Sequence, residues 1–299
     1  MKKVMLTTDS GICAKKKEDT IIIPAQLISS DGITYCDNGT ISNEQILKDM
    51  KCGVIYKTSS PLLGDYEDTF RSILERKKDV IHLSMSSGIS EGSFNCANVV
   101  ANELNEEYEN KVYVIDSLTG ATGGTLLYEL AYKIVSNSSL STNEMINSLN
   151  DLKSRIHTSF YVPNAEGYIR SGRDKTSSHV VDSALLAATK LVKAAAFKFR
   201  VDFHESGDLQ FKKVFRSSDQ KGMDKMIKDI VNEKTIENFE QSLVVVGNLY
   251  KDKVDMDKVK DYLSSFNYFE NILEQEIGSV VAAYGCNDLC GIALVKKRK

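Results

Sequence analysis

The sequence predicts an α/β protein. A parallel-sheet α/β N-terminal domain is followed by an α+β C-terminal domain with an antiparallel sheet. Three observations predict this. Up to about residue 160, short apolar runs alternate with stretches of helical spacing about 10 to 15 residues long, the pattern of βαβ units. Beyond that point two period-two runs flank a turn, as in an antiparallel hairpin with one wet face. The chain has 299 residues, enough for two domains of about 150 each. The expected division is 1–160 and 161–299.

The elements follow in order. Val4 to Thr8 is a short apolar run ending in Asp9-Ser10-Gly11, and Ile21-Ile22-Ile23 closes on Pro24. Ser42 and Gln45 have the spacing of a capping box and open a helix toward Met50. Tyr66, Phe70, Ile73 and Leu74 mark one helix face, and Val80 to Met85 reads as a buried strand. Phe94, Ala97, Val100, Ala101 and Leu104 line the next helix. Val112 to Ile115 is a strand and Leu126 to Val135 a helix. Ser141 and Glu144 cap another helix that carries Met145, Leu149 and Leu152. In the second half a helix is expected over Val181 to Val192. Ala196 to Phe203 and Leu209 to Val214 alternate around the turn Glu205-Ser206-Gly207-Asp208. Further strands are expected at Leu243 to Val246, Val280 to Ala283 and Ile292 to Val295, with helices near Met223 to Ile230 and Val259 to Phe266.

Composition narrows the function classes. Lys and Arg number 38 against 41 Asp and Glu, a net charge of −3, which argues against a dedicated nucleic-acid binder. The longest run without those four residue types, Ser117 to Tyr128, is well short of the roughly 20 residues a membrane-spanning helix needs. Asp9 and the charges from Lys15 to Asp19 cut the N-terminal apolar stretch too short for a signal peptide. A cytoplasmic protein with reduced thiols is expected. The six cysteines include only one close pair, Cys286 and Cys290, and no second pair completes a zinc site. The four histidines show no metal spacing. Neither metal nor cofactor is expected.

Four hydroxyl-rich loops follow apolar strands: Thr7 to Ser10, Thr58 to Pro61, Ser84 to Gly88, and Asp116-Ser117. In an open parallel sheet the binding crevice lies beyond the carboxyl ends of the strands. Several such loops on one rim suit a ligand bearing oxygen atoms, although each alone suits a turn or a cap. Asp9 and Asp116 either do acid–base work or cap loops by accepting backbone N–H bonds, and capping is preferred. His82 reads as a satisfied core histidine. Gly88-Ile89-Ser90-Glu91-Gly92 is formally the Gly-x-Ser-x-Gly of a nucleophile elbow, so a serine hydrolase using Ser90 is the enzyme alternative. Around Ser171-Gly172, Arg170 and Arg173 are either a solvated turn or a clamp for a partner or an anion.

In order and spacing these segments resemble the DegV family of bacterial fatty-acid-binding proteins. The motifs are Thr8-Asp9-Ser10, Ile23-Pro24, Asp31-Gly32 with Tyr35 and Asp37, Thr58-Ser59-Ser60-Pro61, Ser86-Ser87-Gly88-Ile89-Ser90, Ile115-Asp116-Ser117 and Ser171-Gly172-Arg173. The resemblance implies a non-enzymatic protein holding a long-chain fatty acid in an apolar tunnel between the two domains. It implies a carboxylate held by Thr58, Ser59 and Ser87, with Ser86 beside them. It also implies, for some members, presentation of that carboxylate to a separate fatty acid kinase, which makes the acyl phosphate for phospholipid synthesis, with Gly172-Arg173 at the encounter; Arg170 beside them is the other docking candidate. Family members often carry a histidine near the C-terminus that reaches the carboxylate. Tyr284 stands in its place here, and a phenol donates one hydrogen bond without bringing positive charge. A regulatory member with an emptied pocket is the other alternative.

Overall fold

The alternating runs of the first half form a four-stranded parallel sheet in the order β2-β1-β6-β7. Its strands are β1 (Val4–Asp9), β2 (Thr20–Ile23), β6 (Asp79–Ser84) and β7 (Val112–Asp116), numbered in chain order. The structure, a computed structural model, describes residues 3–137, 139–163, 197–249, 254–283 and 289–298. Period two sorts the strand residues between two layers. Val4 and Leu6 of β1 join α4 (Ala121–Val135) and α5 (Thr142–Arg155) through Leu126, Leu127, Met145 and Leu149. Met5 turns the other way, toward α2 (Leu63–Leu74) and α3 (Glu91–Glu107), with Tyr66, Phe70, Ile73 and Val100. The expected capping box at the start of α5 is present: Glu144 N donates to Ser141 Oγ, and Ser141 N donates to Glu144 Oε2.

A second sheet was not legible in the sequence. Strands β3 (Gln26–Ser29), β4 (Thr34–Cys36) and β5 (Tyr56–Ser59) pair antiparallel in the order β4-β3-β5. Each is three or four residues long, too short for an alternation to stand out. Thr58 and Ser59 therefore lie within β5 of this small sheet, not beyond the end of a parallel strand as expected.

The third sheet has six strands in the order β10-β9-β8-β13-β11-β12. They are β8 (Ile156–Val162), β9 (Phe197–Phe203), β10 (Leu209–Arg216), β11 (Val244–Asn248), β12 (Ile272–Glu276) and β13 (Cys290–Val295). Every neighbouring pair is antiparallel except β11 and β12, so the sheet is mixed. The chain enters this sheet at Ile156, and residue 160 falls inside β8. The strand expected at Val280 to Ala283 is instead a short helix, Ser279–Ala282, because the N–H groups of Val281 and Ala282 both bond back to the carbonyl of Gly278. The helix expected over Val181 to Val192 lies outside the described residues.

The uncharged run Ser117 to Tyr128 explains itself in the fold. Residues Ala121 to Tyr128 are all buried, because the start of α4 lies between the parallel sheet and the six-stranded sheet. Small residues allow the close approach. Thr122 Oγ1 would be 2.2 Å from a Cβ at Gly247 and 2.7 Å from one at Gly291. A Cβ at Gly123 would stand 2.0 Å from Thr158 Oγ1 and 2.1 Å from Thr119 Oγ1, two hydroxyls that bond each other at 3.1 Å. Gly123→Ala is therefore expected to destabilise by about 1–3 kcal/mol through overpacking, whereas helix propensity alone would stabilise by about 1 kcal/mol. Urea unfolding decides between the signs, and a stabilised variant would show that the notch relaxes.

Candidate functional site

At the carboxyl ends of β1 and β6 a buried polar network forms. Asp9 Oδ1 accepts from Tyr66 Oη at 2.7 Å, and Oδ2 accepts from Met85 N at 2.9 Å and Ser84 Oγ at 3.2 Å. His82 is wholly buried. Its Nε2 stands 3.3 Å from Asp9 Oδ1, an ion-pair distance without hydrogen-bond alignment, and its Nδ1 lies 3.0 Å from Thr7 Oγ1. Burial by itself would raise the Asp9 carboxyl. The charge and contact of His82, with the donors from Tyr66 and Met85, outweigh it and hold the group below the usual carboxylate range. Asp9 thus pins the strand-end loop by its backbone. Asp116 does the same from β7, with Oδ1 accepting Ser87 N and Leu118 N, each at 3.1 Å.

The serine loop after β6 is held from two sides. Ser86 Oγ donates to Gly207 O at 2.8 Å, although Gly207 lies 121 residues further along, at the tip of the β9–β10 hairpin. Gly207 has φ +80° and no room for a side chain: an added Cβ would be 2.1 Å from Ser86 Oγ. Ser87 Oγ donates to Asp116 Oδ2 at 2.5 Å. Ser90 Oγ pairs with Ser93 Oγ at 2.8 Å across the first turn of α3. None of the described histidines completes a nucleophile triad with Ser90. His82 faces Thr7 and Asp9, His157 faces Ser159, and His204 faces Ser206. His179 lies outside the described residues.

A cavity of about 330 Å³ opens beside these loops. Thr58, Ser59 and Ser60 line one wall, and Ser90, Gly92 and Ser93 at the head of α3 line the other. Asp9, Met85 and Val280 also reach it, and among the described residues its charged lining is Asp9 and Glu91. The structure thus brings Thr58 and Ser59 together on one cavity, whereas Ser86 and Ser87 stand beside it and are tied to Gly207 and Asp116. Tyr284, Arg170 and Arg173 lie outside the described residues. Sequence reasoning missed Ser93, whose only signal was its three-residue spacing from Ser90. It also missed the hairpin tip, for which no local signal exists.

An apolar cluster shares strand β5 and the short helix Ser279–Ala282 with the cavity lining. It joins Leu27 of β3 and Tyr56 of β5 to Phe160 of β8, Phe199 and Val201 of β9, Leu249 and Ala282. Its walls therefore come from the three-stranded and the six-stranded sheets. Val280 on the cavity and Ala282 in the cluster belong to the same short helix. Among the described residues no group of three or more His, Cys, Asp or Glu could hold a metal, and no helix is long and apolar enough to cross a membrane.

Comparison with known proteins gives this arrangement a family. Among curated relatives, a DegV domain-containing protein of Ureaplasma parvum is 28% identical over 181 residues, 58% of this chain and 57% of that protein. One from Streptococcus pyogenes is 24% identical over 273 residues, 90% of this chain and 88% of its own. Among solved structures, the Fatty Acid Kinase (Fak) B3 protein of Streptococcus pneumoniae, loaded with linoleic acid, superposes with a TM-score of 0.82 at 17% identity, over 99% of this chain and 100% of that one. A stearic-acid-binding protein of Eubacterium ventriosum gives 0.79 at 22% identity, over 99% of each chain. The model of the family described as "Uncharacterised protein, DegV family" matches residues 3–297. The strand-end hydroxyl loops, the parallel sheet and the six-stranded sheet behind it are thus those of a member of the DegV family, to which this chain belongs.

Proposed function

We propose that this protein binds a long-chain fatty acid between two halves that divide near residue 160. The acyl tail lies along the apolar cluster of Leu27, Tyr56, Phe160 and Phe199, and the head group lies at the hydroxyl loops of Thr58, Ser59, Ser86 and Ser87. Tyr284 is the further head-group residue in this reading. The observation that carries this is a single apolar cluster walled by two sheets, which shares β5 and the short helix Ser279–Ala282 with a hydroxyl-lined cavity. Solved neighbours of the same fold described as loaded with linoleic acid or binding stearic acid support it. The energetics are adequate. About fifteen buried methylenes supply roughly 12 kcal/mol of gross transfer energy, and ordering of ligand and protein offsets much of it. Affinity then comes mainly from the tail, and the hydroxyls orient the head. The protein works in the cytoplasm and hands the carboxyl group to a separate kinase, with Arg170 and Arg173 at the encounter.

Organic extraction of purified protein followed by mass spectrometry tests the binding. An acyl chain is expected, or its uptake on incubation with palmitate or oleate, and absence of both sinks the reading. Thr58→Val and Ser87→Ala are expected to weaken head-group orientation, and hand-over to a kinase, more than tail burial. Unchanged affinity and hand-over in both variants would remove these residues from the site.

A further inference from the structure

The serine loop that the fatty-acid reading places at the head group has no hydroxyl proton left to offer. A serine hydroxyl has one proton and accepts with its lone pairs. Ser86 gives its proton to the Gly207 carbonyl at 2.8 Å. Ser87 gives its proton to Asp116 Oδ2 at 2.5 Å, within the short range of a hydroxyl bound to a carboxylate. The second Asp116 oxygen is held by the N–H groups of Ser87 and Leu118, which fixes the carboxylate in place. Ser86 is wholly buried and its Oγ also accepts from Gly88 N at 3.2 Å, so it is the half-buried Ser87 hydroxyl that presents lone pairs to whatever approaches. An ionised fatty acid also presents only lone pairs. Two acceptors facing each other out of water leave both unpaired, at a cost of about 1–3 kcal/mol or more. No cation among the described residues lines the adjoining cavity to relieve this.

We propose that a carboxylate ligand seats against Ser87 only with the uptake of one proton, and that Asp116 is the positioning residue that imposes this. The proton comes from solvent and forms one O–H bond. It goes either to the ligand, whose carboxylic acid then donates to Ser87 Oγ, or to Asp116. In the second case Asp116 donates to Ser87 Oγ and frees the serine proton for the ligand carboxylate. Either way three oxygen groups that had one proton now share two, and no other bond forms or breaks. Other charged groups surround the pair. Lys153 of α5 feels the Asp116 charge. Asp208 follows Gly207 on the hairpin tip packed against Gly88, with His204 and Glu205 on the same turn. Glu91 heads α3 on the cavity wall. The proposal deepens the fatty-acid reading and rests on it.

Calorimetric titration of the intact protein with decanoate, in buffers of different ionisation enthalpy, reads the proton directly. Between about pH 7 and about pH 8 the expected uptake is about one proton per ligand bound, with Kd weakening about tenfold per pH unit. Asp116→Asn is expected to abolish the uptake, because the amide donates to Ser87 Oγ and frees its proton for the ligand. Should that variant misfold, Ser87→Ala and the wild-type protein each decide the matter, since the serine variant is also expected to lose the uptake. A long-chain alcohol, which brings its own donor, is expected to bind wild type with no pH dependence. Decanoate binding to wild type without proton uptake overturns the proposal and leaves the fatty-acid reading standing. Uptake that persists in both variants overturns the assignment to Asp116. Failure of both decanoate and palmitate to bind overturns the fatty-acid reading and the proposal together.

Discussion

His82→Ala is expected to lower the unfolding free energy by about 3–5 kcal/mol, the cost of truncating a wholly buried ring and stripping a contact from the buried Asp9 carboxylate. The Asp9 carboxylate would stay buried, with Tyr66, Ser84 and Met85 N still donating but with the neighbouring imidazole gone. The lost ring also leaves a void between Tyr66 and Phe70, whose centroids are 5.4 and 5.3 Å from its own. Equilibrium urea unfolding at neutral pH measures the loss. A change below about 1 kcal/mol would mean that the three remaining donors suffice for the carboxylate. The wild-type network also predicts acid sensitivity. The folded Asp9 carboxyl lies below its ordinary value, so its stabilisation is complete above the unfolded carboxylate range and disappears as pH falls through the depressed one.

His157 predicts a second and separable pH dependence. Burial pushes its imidazole down to about 4. The positive charges of Arg200, Lys296 and Lys212 push the same way, against the opposing pull of Asp202. Between the ordinary value near 6.5 and that lower one, the unfolded chain binds a proton that the folded chain refuses. Stability is thus intact above about pH 6.5 and lost progressively toward about pH 4, by about 2–3 kcal/mol once the partial exposure of the ring is allowed for. His157→Asn should flatten that part of the curve while leaving the steeper carboxylate loss below it. Parallel losses in wild type and variant from about pH 6.5 to about pH 4.5 would show that another group governs this window.

The parallel half of the fold was legible because its signals are local. The strand at Val80–Met85 shows itself through Val80, Ile81, Leu83 and Met85, and the Ser141–Glu144 box marks its helix start through contacts three residues apart. The candidate hydroxyl residues were legible as types for the same reason: a strand that ends in Ser86-Ser87-Gly88 reads as a strand-end loop. The three-stranded sheet was not legible. Its strands take their conformation from pairing partners up to some thirty residues away, not from their own pattern. The short helix at Ser279–Ala282 has no signature in the sequence, because an apolar run that brief carries no period of its own.

Sequence alone determined the βαβ alternation of the first half, the hairpin of the second, and which loops carry hydroxyls. Those properties depend on composition and spacing along the chain. Tertiary structure alone decided what each hydroxyl does. The assignment of a single proton depends on which acceptor stands within 3 Å. For Ser86 that acceptor comes from a hairpin 121 residues away, for Ser87 from the end of a neighbouring strand 29 residues away, and for Ser90 from the next helical turn. Four serines within eight residues read alike in sequence, and the fold gives Ser86, Ser87 and the Ser90–Ser93 pair different chemistry because each meets a different partner.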